Sequence, residues 1–184
     1  MRVLVACEYS GRVRDAFRAK GHDAISCDLL PTDVDGPHYQ GDVADILGGG
    51  WDLVIMHPPC TALAVSGNRW YGKGMPKNDE RLTSIKWTMD LFETAKKHAP
   101  SVCMENPVGV LPIKPTQYIQ PWQFGHGETK KTGLWLHNLP LLEPTNIVEG
   151  RAQRIWRLPP SKDRWKIRSE TFIGIAEAMA SQWS

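Results

Sequence analysis

The chain has 184 residues, 41% hydrophobic and 23% charged, with a formal net charge of +2. That size and balance fit one soluble globular domain and exclude a disordered, collagenous or disulfide-scaffold chain. So small a net charge does not by itself mark a nucleic-acid binder, and the opening Met1-Arg2-Val3-Leu4-Val5 run is too short for a signal peptide or a membrane span.

In chain order, Val3-Leu4-Val5-Ala6 reads as a buried strand. Gly11 to Lys20 reads as a helix with Val13, Ala16 and Phe17 on one side, ended by Gly21. Asp23 to Cys27 is a second strand, closed by Asp28, and Tyr39 to Val43 leads to a third element that carries Asp42. Gly48-Gly49-Gly50 precedes a strand rather than a helix, so it is a loop and not a phosphate cradle. Trp51 to Met56 is a strong strand stopped by His57-Pro58-Pro59. Asn78 to His98 is a long helix with Leu82, Ile85, Met89, Phe92 and Ala95 at three- and four-residue spacing. Ser101 to Met104 is another strand, stopped by Glu105-Asn106-Pro107, and Thr171 to Trp183 fits a final helix or strand-helix turn. Strands alternating with helices imply an α/β fold with a mostly parallel sheet and helices on both faces. Ligands then bind beyond the carboxyl ends of the strands, where Glu8, Asp28, Asp42, Cys60 and Glu105 should gather.

The charge is uneven. Arg151, Arg154, Arg157, Lys162, Arg164, Lys166 and Arg168 form a stripe opposed only by Asp163. Two readings stay open, a surface for phosphates or a solvated loop. Among the eight tryptophans, Trp70, Trp122, Trp156 and Trp165 lie beside basic or Gly/Pro-rich loops, which suits either base stacking or local packing. Cys7, Cys27, Cys60 and Cys103 make no C-x-x-C pair, so no metal site is expected, and free thiols in a reducing cytoplasm are.

Cys60 follows two prolines at a strand end, a stiff mount that lacks two backbone donors. Loop amides after Thr61 are expected to lower its thiol pKa and favour the nucleophilic thiolate. Read alone, an inert buried cysteine is the usual reading of such a tripeptide. Glu105 also follows a strand and precedes a proline. In a partly buried cleft its carboxyl should hold a proton near neutral pH and give it to a ring nitrogen. Alone, it is as readily a helix cap or a salt-bridge partner. His57 and His126 are available, although a lone histidine is more often structural.

On Pro59-Cys60, Glu105-Asn106 and their order after the first strand loop, the chain resembles the cytosine-C5 DNA methyltransferase family, above all its very short bacteriophage and prophage members. The resemblance implies a single-domain Rossmann-like S-adenosylmethionine-dependent methyltransferase fold over 1–184. It implies a catalytic set of Cys60, Glu105, Asn106, Lys130 and Lys131. Cofactor contacts would come from the first loop, Cys7-Glu8-Tyr9-Ser10-Gly11, and from Asp28 with Leu29 at the ribose. Asp42 with Val43 would stand at the adenine, Pro58 in the pocket wall, and Thr171 with Phe172 in the closing motif. Three departures stand out. Only Gly11 remains of the glycine-rich loop. Glu128-Thr129-Lys130-Lys131-Thr132 stands where the family has an arginine-bearing motif. A basic loop region of about 145–170 replaces a full target-recognition domain.

The implied reaction is methyl transfer to C5 of an extruded cytosine in DNA through a Cys60 adduct at C6; the sequence does not name the base that removes the C5 proton, and water is one candidate. Thr61 to Lys77, including Ser66, Asn68 and Arg69, would be a mobile loop closing over the base. DNA is the implied partner, with a specificity-supplying protein or an oligomer completing the grip. The implied setting is a bacterial or phage-infected cytoplasm, with no membrane. Two alternatives remain: a free cytosine nucleotide as substrate, or a non-catalytic nucleic-acid- or cofactor-binding protein that keeps the fold. A dehydrogenase is disfavoured because no G-x-G-x-x-G follows the first strand.

Overall fold

The computed structural model describes residues 1–184. In chain order the elements are β1 (Arg2–Ala6), α1 (Arg12–Ala19), β2 (Asp23–Asp28), β3 (His38–Gln40), β4 (Leu53–Met56), α2 (Asn68–Tyr71), α3 (Asn78–His98), β5 (Ser101–Pro107), β6 (Gln117–Ile119), β7 (Thr132–His137), α4 (Arg154–Arg157), α5 (Arg164–Ser169) and α6 (Ile173–Gln182). One seven-stranded sheet runs in the order β3-β2-β1-β4-β5-β7-β6. The first five strands pair in parallel, and β7 lies antiparallel to both β5 and β6. The fold is therefore a single-domain α/β fold with a mixed, mostly parallel sheet, compatible with a Rossmann-like arrangement.

The parallel strands are apolar on both faces, as burial between two helix layers requires. On one face, Val3, Val5, Leu53, Ile55 and Cys103 pack with Val13 and Phe17 of α1 and with Ile175, Ala176 and Met179 of α6. On the other, Leu4, Ala6, Val54, Met56, Val102 and Met104 pack with Leu91, Phe92 and Ala95 of α3. The strand order reverses between β1 and β4, and in open α/β sheets ligands bind beyond the carboxyl ends at such a point. No helix is long and apolar enough to cross a membrane.

Two expectations need correction. β6 and β7 were not foreseen, and β7 uses Thr132, Gly133, Leu134 and Trp135 as a fully buried strand. The inner face of α3 is also shifted at its start. Arg81 and Thr88 are buried there, while Leu82 is 57% exposed. The first turns of α3 cover a loop rather than the sheet, and that loop presents carbonyl oxygens. A buried arginine answers them; a leucine cannot.

Candidate active site

Strands β4 and β5 pair in register with a constant offset, Leu53 to Ser101 through Met56 to Met104. The same offset of 48 continues past the strand ends. It brings His57 against Glu105, with Nδ1 to Oε2 at 2.8 Å. It brings Asn106 against Pro58, whose carbonyl accepts from Asn106 Nδ2 at 2.9 Å. Side chains alternate along a strand, so His57 continues the Leu53-Ile55 face toward α6, and Glu105 continues the Cys103 face. Prolines then stop both strands. His57 and Glu105 are each about nine-tenths buried. His57 is not a lone histidine: the constant register offset pairs it with Glu105. The expectation of a structural role holds for His126, whose Nε2 accepts the Gly174 N–H at 3.0 Å and so caps α6.

Cys60 is half-buried just beyond. The chain after it is fixed, not free. Leu63 and Ala64 donate to the Cys60 carbonyl, Val65 donates to Val108, and Val110 donates to Leu63. Arg81 donates to the Ala62 and Ala64 carbonyls and to Asn68 Oδ1 at 2.6, 3.2 and 2.7 Å. Within the expected closing loop of Thr61 to Lys77, residues 61–68 are tied to α3 and to the segment after Glu105, and the stretch beyond, with Arg69 and Trp70, is exposed. Ser66, within the tied part, is exposed.

The electrostatics correct two further expectations. Burial alone raises the Glu105 pKa, but the His57 hydrogen bond and charge, with Lys130 nearby, bring it below its ordinary value. Glu105 is therefore a carboxylate at neutral pH in the resting site and does not store its own proton. Burial first, and the Glu105 charge second, push the Cys60 thiol up; Lys130, Arg168 and the loop backbone pull in the opposite direction without winning. Resting Cys60 is a thiol. Lys130 and Lys131 are also told apart. Lys130 acts on both Glu105 and Cys60, whereas Lys131 is exposed with Nζ 4.3 Å from the centre of the Tyr118 ring. Asn106 clamps the Pro58 carbonyl with one end of its amide, while its buried Oδ1 has no partner. That contact orders the Pro-Pro-Cys turn.

On the other side of the switch point, Asp28 is half-buried at the end of β2, and its Oδ1 accepts from Leu30 N at 3.0 Å. Burial raises its pKa against the lowering pull of that amide and of His38. Leu29 beside it is 73% exposed. Asp42 is exposed, with Oδ1 accepting from Ala44 N at 2.9 Å. Pro58 is buried.

Four contacts assigned to the cofactor are engaged elsewhere. Glu8 is buried and accepts from the α1 amides of Val13 at 2.8 Å and Arg14 at 3.4 Å, and from Ser10 Oγ at 3.1 Å. A carboxylate at a helix N-terminus satisfies orphan donors, so Glu8 and Ser10 cap α1. Tyr9 donates to the Lys166 carbonyl at 3.0 Å and meets Ser169 Oγ at 2.8 Å, fastening the loop to α5. Val43 sits in the core beneath α3. Cys7 and Gly11 do shape the loop, each in the left-handed region with φ of 58° and 73°. At Gly11 a Cβ would press on the Arg14 guanidinium and Val34, so glycine is required there. Burial, aided by Asp28, Cys27 and Asp42, pushes the Cys7 thiol up to about 12. Thr171 and Phe172 line a small cleft with Glu105, Lys130 and Thr132, and the Thr171 carbonyl accepts from Arg12 at 3.0 Å.

The basic stretch is not all loop, since it contains α4 and α5. It folds onto the same edge: Arg154 pairs with Glu128, Lys166 with Asp33 at 2.5 Å, and Tyr9 with the Lys166 carbonyl. Arg12, His126, Arg154, Glu170, Ile167 and Phe172 are among the residues around a cavity of about 470 Å³ there. Trp156 and Trp165 are more than half exposed, Arg151 covers Trp122, and Arg69 covers Trp70. Sequence reasoning also missed Arg14. It is wholly buried and bonds Asp15, Ser26, Thr32 and the Val34 and Asp35 carbonyls, which pins the loop after β2.

The edge thus carries a thiol, a carboxylate–imidazole pair and a lysine on one side of the switch point. On the other it carries two carboxylates. No known protein-family profile matches the chain, and no curated protein matches it.

Proposed function

We propose that the chain is a DNA (cytosine-5-)-methyltransferase of compact type, with S-adenosylmethionine as methyl donor and a covalent Cys60 adduct. One observation carries the reading. Cys60 and Glu105 leave neighbouring strands at one edge, and Asp28 and Asp42 leave β2 and β3 at the same edge, across the β1/β4 reversal. A nucleophile beside a carboxylate, next to the reversal point where sheets of this kind take ligands, is what addition to a pyrimidine ring would use.

The residues present fit the nucleoside end of the cofactor. Asp28 and Asp42 each engage one carboxylate oxygen locally, leaving the other for hydroxyl or amine donors, and exposed Leu29 offers an apolar face. Cys7 and Gly11 would border its amino-acid end, with less help than the resemblance implies because Glu8 and Ser10 cap α1. When bound, S-adenosylmethionine supplies an activated methyl group. The protein's own part is to place Cys60 Sγ at C6 of a cytosine, to hold the ring N3 and exocyclic amine on Glu105, and to balance that carboxylate with Lys130. The exposed Trp156 and Trp165, with Arg151, Arg157 and Lys162, would meet bases and phosphates of DNA. The four free thiols suit the cytoplasm of a bacterium or phage-infected cell.

The test is transfer of a tritiated methyl group from S-adenosylmethionine to cytosine-containing DNA, run beside free cytosine mononucleotide. Incorporation into DNA that disappears in Cys60→Ser is the expected result. Undiminished transfer by Cys60→Ser would remove the nucleophile from the account, and transfer to the mononucleotide alone would change the substrate.

A further inference from the structure

We infer that His57 is a positioning residue that delivers the proton used at the ring, relaying it from Nδ1 to the Glu105 carboxylate. The inference rests on the reading of Cys60 and Glu105 given above. Its starting point is a mismatch within the site. Thiolate addition at C6 pushes electrons toward N3, which needs a proton, yet Glu105 rests as a carboxylate. Some neighbour must supply what Glu105 lacks.

The structure narrows the source to one group. His57 Nδ1 stands 2.8 Å from Glu105 Oε2. No other side chain hydrogen-bonds the Glu105 carboxylate. Lys130, from the turn before β7, acts on Glu105 through its charge, but its Nζ donates to the Glu170 carbonyl at 3.3 Å. Cys60 and Cys103 are the remaining titratable groups coupled to Glu105, and Glu105 disfavours the thiolate of both. The other walls of its cleft, Ile119, Thr132, Thr171, Phe172 and Ile175, bear no group that titrates near neutrality. Imidazole is the side chain whose proton is exchangeable around neutral pH.

The mount suits a relay. His57 is the residue after β4, its own N–H donates to the Ala6 carbonyl at 2.9 Å, and two prolines follow. The ring is held by the sheet register rather than by a loop. Its Nε2 is buried and has no protein partner. Glu105 is therefore the one side-chain partner of the ring.

The steps balance as follows. The Cys60 thiol gives its proton to solvent, and the sulfur lone pair forms the Sγ–C6 bond. The C5–C6 π pair shifts through the ring, and N3 takes a proton from Glu105, which draws one from the protonated His57 ring. His57 is left neutral. After C5 has gained the methyl group and lost its hydrogen to water as a proton, the Sγ–C6 bond breaks. The N3 proton returns through Glu105 to His57, and Cys60 regains a proton from solvent.

The experiment compares wild type with His57→Gln and His57→Ala. Glutamine keeps a hydrogen-bond donor toward Glu105 but carries no transferable proton. The expected result is a loss of about 100-fold or more in methyl transfer for both variants. The loss should fall on kcat with KM for DNA little changed, with both variants folded by circular dichroism. Near-wild-type kcat in His57→Gln overturns the relay and leaves only a hydrogen-bonding role. Ring-nitrogen NMR of His57 separates failure of the inference from failure of the functional reading, because it needs no turnover. The ring's protonation should change in Glu105→Gln, and a ring indifferent to that substitution overturns the couple even if the protein methylates DNA. Absence of transfer from wild type to any cytosine substrate, with the NMR coupling intact, overturns the proton delivery and the functional reading together.

Discussion

Gly109 offers a sharp test of how the two chemical loops are locked together. It faces Leu63 where the segment after Cys60 runs beside the segment after Glu105, and Ala64 and Gly109 form an isolated bridge. In Gly109→Ala the new Cβ would lie 2.5 Å from the Leu63 carbonyl oxygen and 3.2 Å from its carbon. Both atoms are backbone, so the segments must part by roughly 0.7–1 Å to reach ordinary contact. That strains the Val110-to-Leu63 and Val65-to-Val108 hydrogen bonds of 3.0 and 3.2 Å. Two such bonds contribute about 2 kcal/mol, and overpacking adds about 1–2 kcal/mol. Stiffening of the unfolded chain by alanine offsets about 0.4–1 kcal/mol. The net expectation is a destabilisation of about 2–3.5 kcal/mol. With a urea slope of about 2 kcal/mol/M, the midpoint should fall by about 1–1.8 M. Activity should drop by about 100-fold, because misplacing a reacting group by about 1 Å costs that much. Urea unfolding followed by circular dichroism, with a methyl-transfer assay alongside, reads both. A midpoint within about 0.2 M of wild type would refute the claim that these loops are in rigid contact.

The lysines should separate in the same assay: Lys130→Ala should lose about 100-fold in activity by removing a charge that acts on Glu105 and Cys60, whereas Lys131→Ala should stay within about twofold. Glu105 fixes the sign of an acid effect. Its pKa in the folded protein lies below the ordinary 4.5, so its contribution to stability is complete above that value and is lost as pH falls through the folded value. The stability gap between wild type and Glu105→Gln should therefore shrink on going from neutral to strongly acidic urea titrations, and a gap that widens would reverse the assignment. Arg14→Met leaves Asp15 and the carbonyls of Val34 and Asp35 without their buried donor, which should cost about 3 kcal/mol and lower Tm by about 6–12 °C in calorimetry. An unchanged Tm would show that the loop after β2 does not depend on it.

The parallel half of the sheet was legible because its strands are continuous apolar runs closed by polar or proline stops, and α1, α3 and α6 carry helical periodicity. The antiparallel β6 and β7 were not. Thr132-Gly133-Leu134-Trp135-Leu136-His137 has no turn signal of its own, and its partner β5 is distant in sequence, so only tertiary pairing defines it. The gathering of Cys60, Glu105, Asp28 and Asp42 at one edge followed from strand ends alone. Direction did not. Glu8 and Tyr9 sit on the expected loop but turn inward, one to cap α1 and one to hold α5, because buried amides and an approaching helix claim them first. His57 was passed over because its meaning depends on register with β5, which no single segment reveals. Protonation states were misjudged for the same reason: the neighbours that set them, His57 for Glu105 and Glu105 for Cys60, lie 48 and 45 residues away along the chain.

The central claim is that Cys60 bonds to a cytosine ring. The most direct measurement is incubation with a DNA oligonucleotide containing 5-fluorocytosine in the presence of S-adenosylmethionine, followed by denaturing electrophoresis and peptide mass mapping. Fluorine at C5 blocks the loss that would release the enzyme, so the adduct persists. The account expects a covalent protein–DNA species cross-linked at Cys60, absent in Cys60→Ser. A wild-type protein that methylates the unmodified oligonucleotide yet forms no adduct, or forms one at another residue, would contradict it.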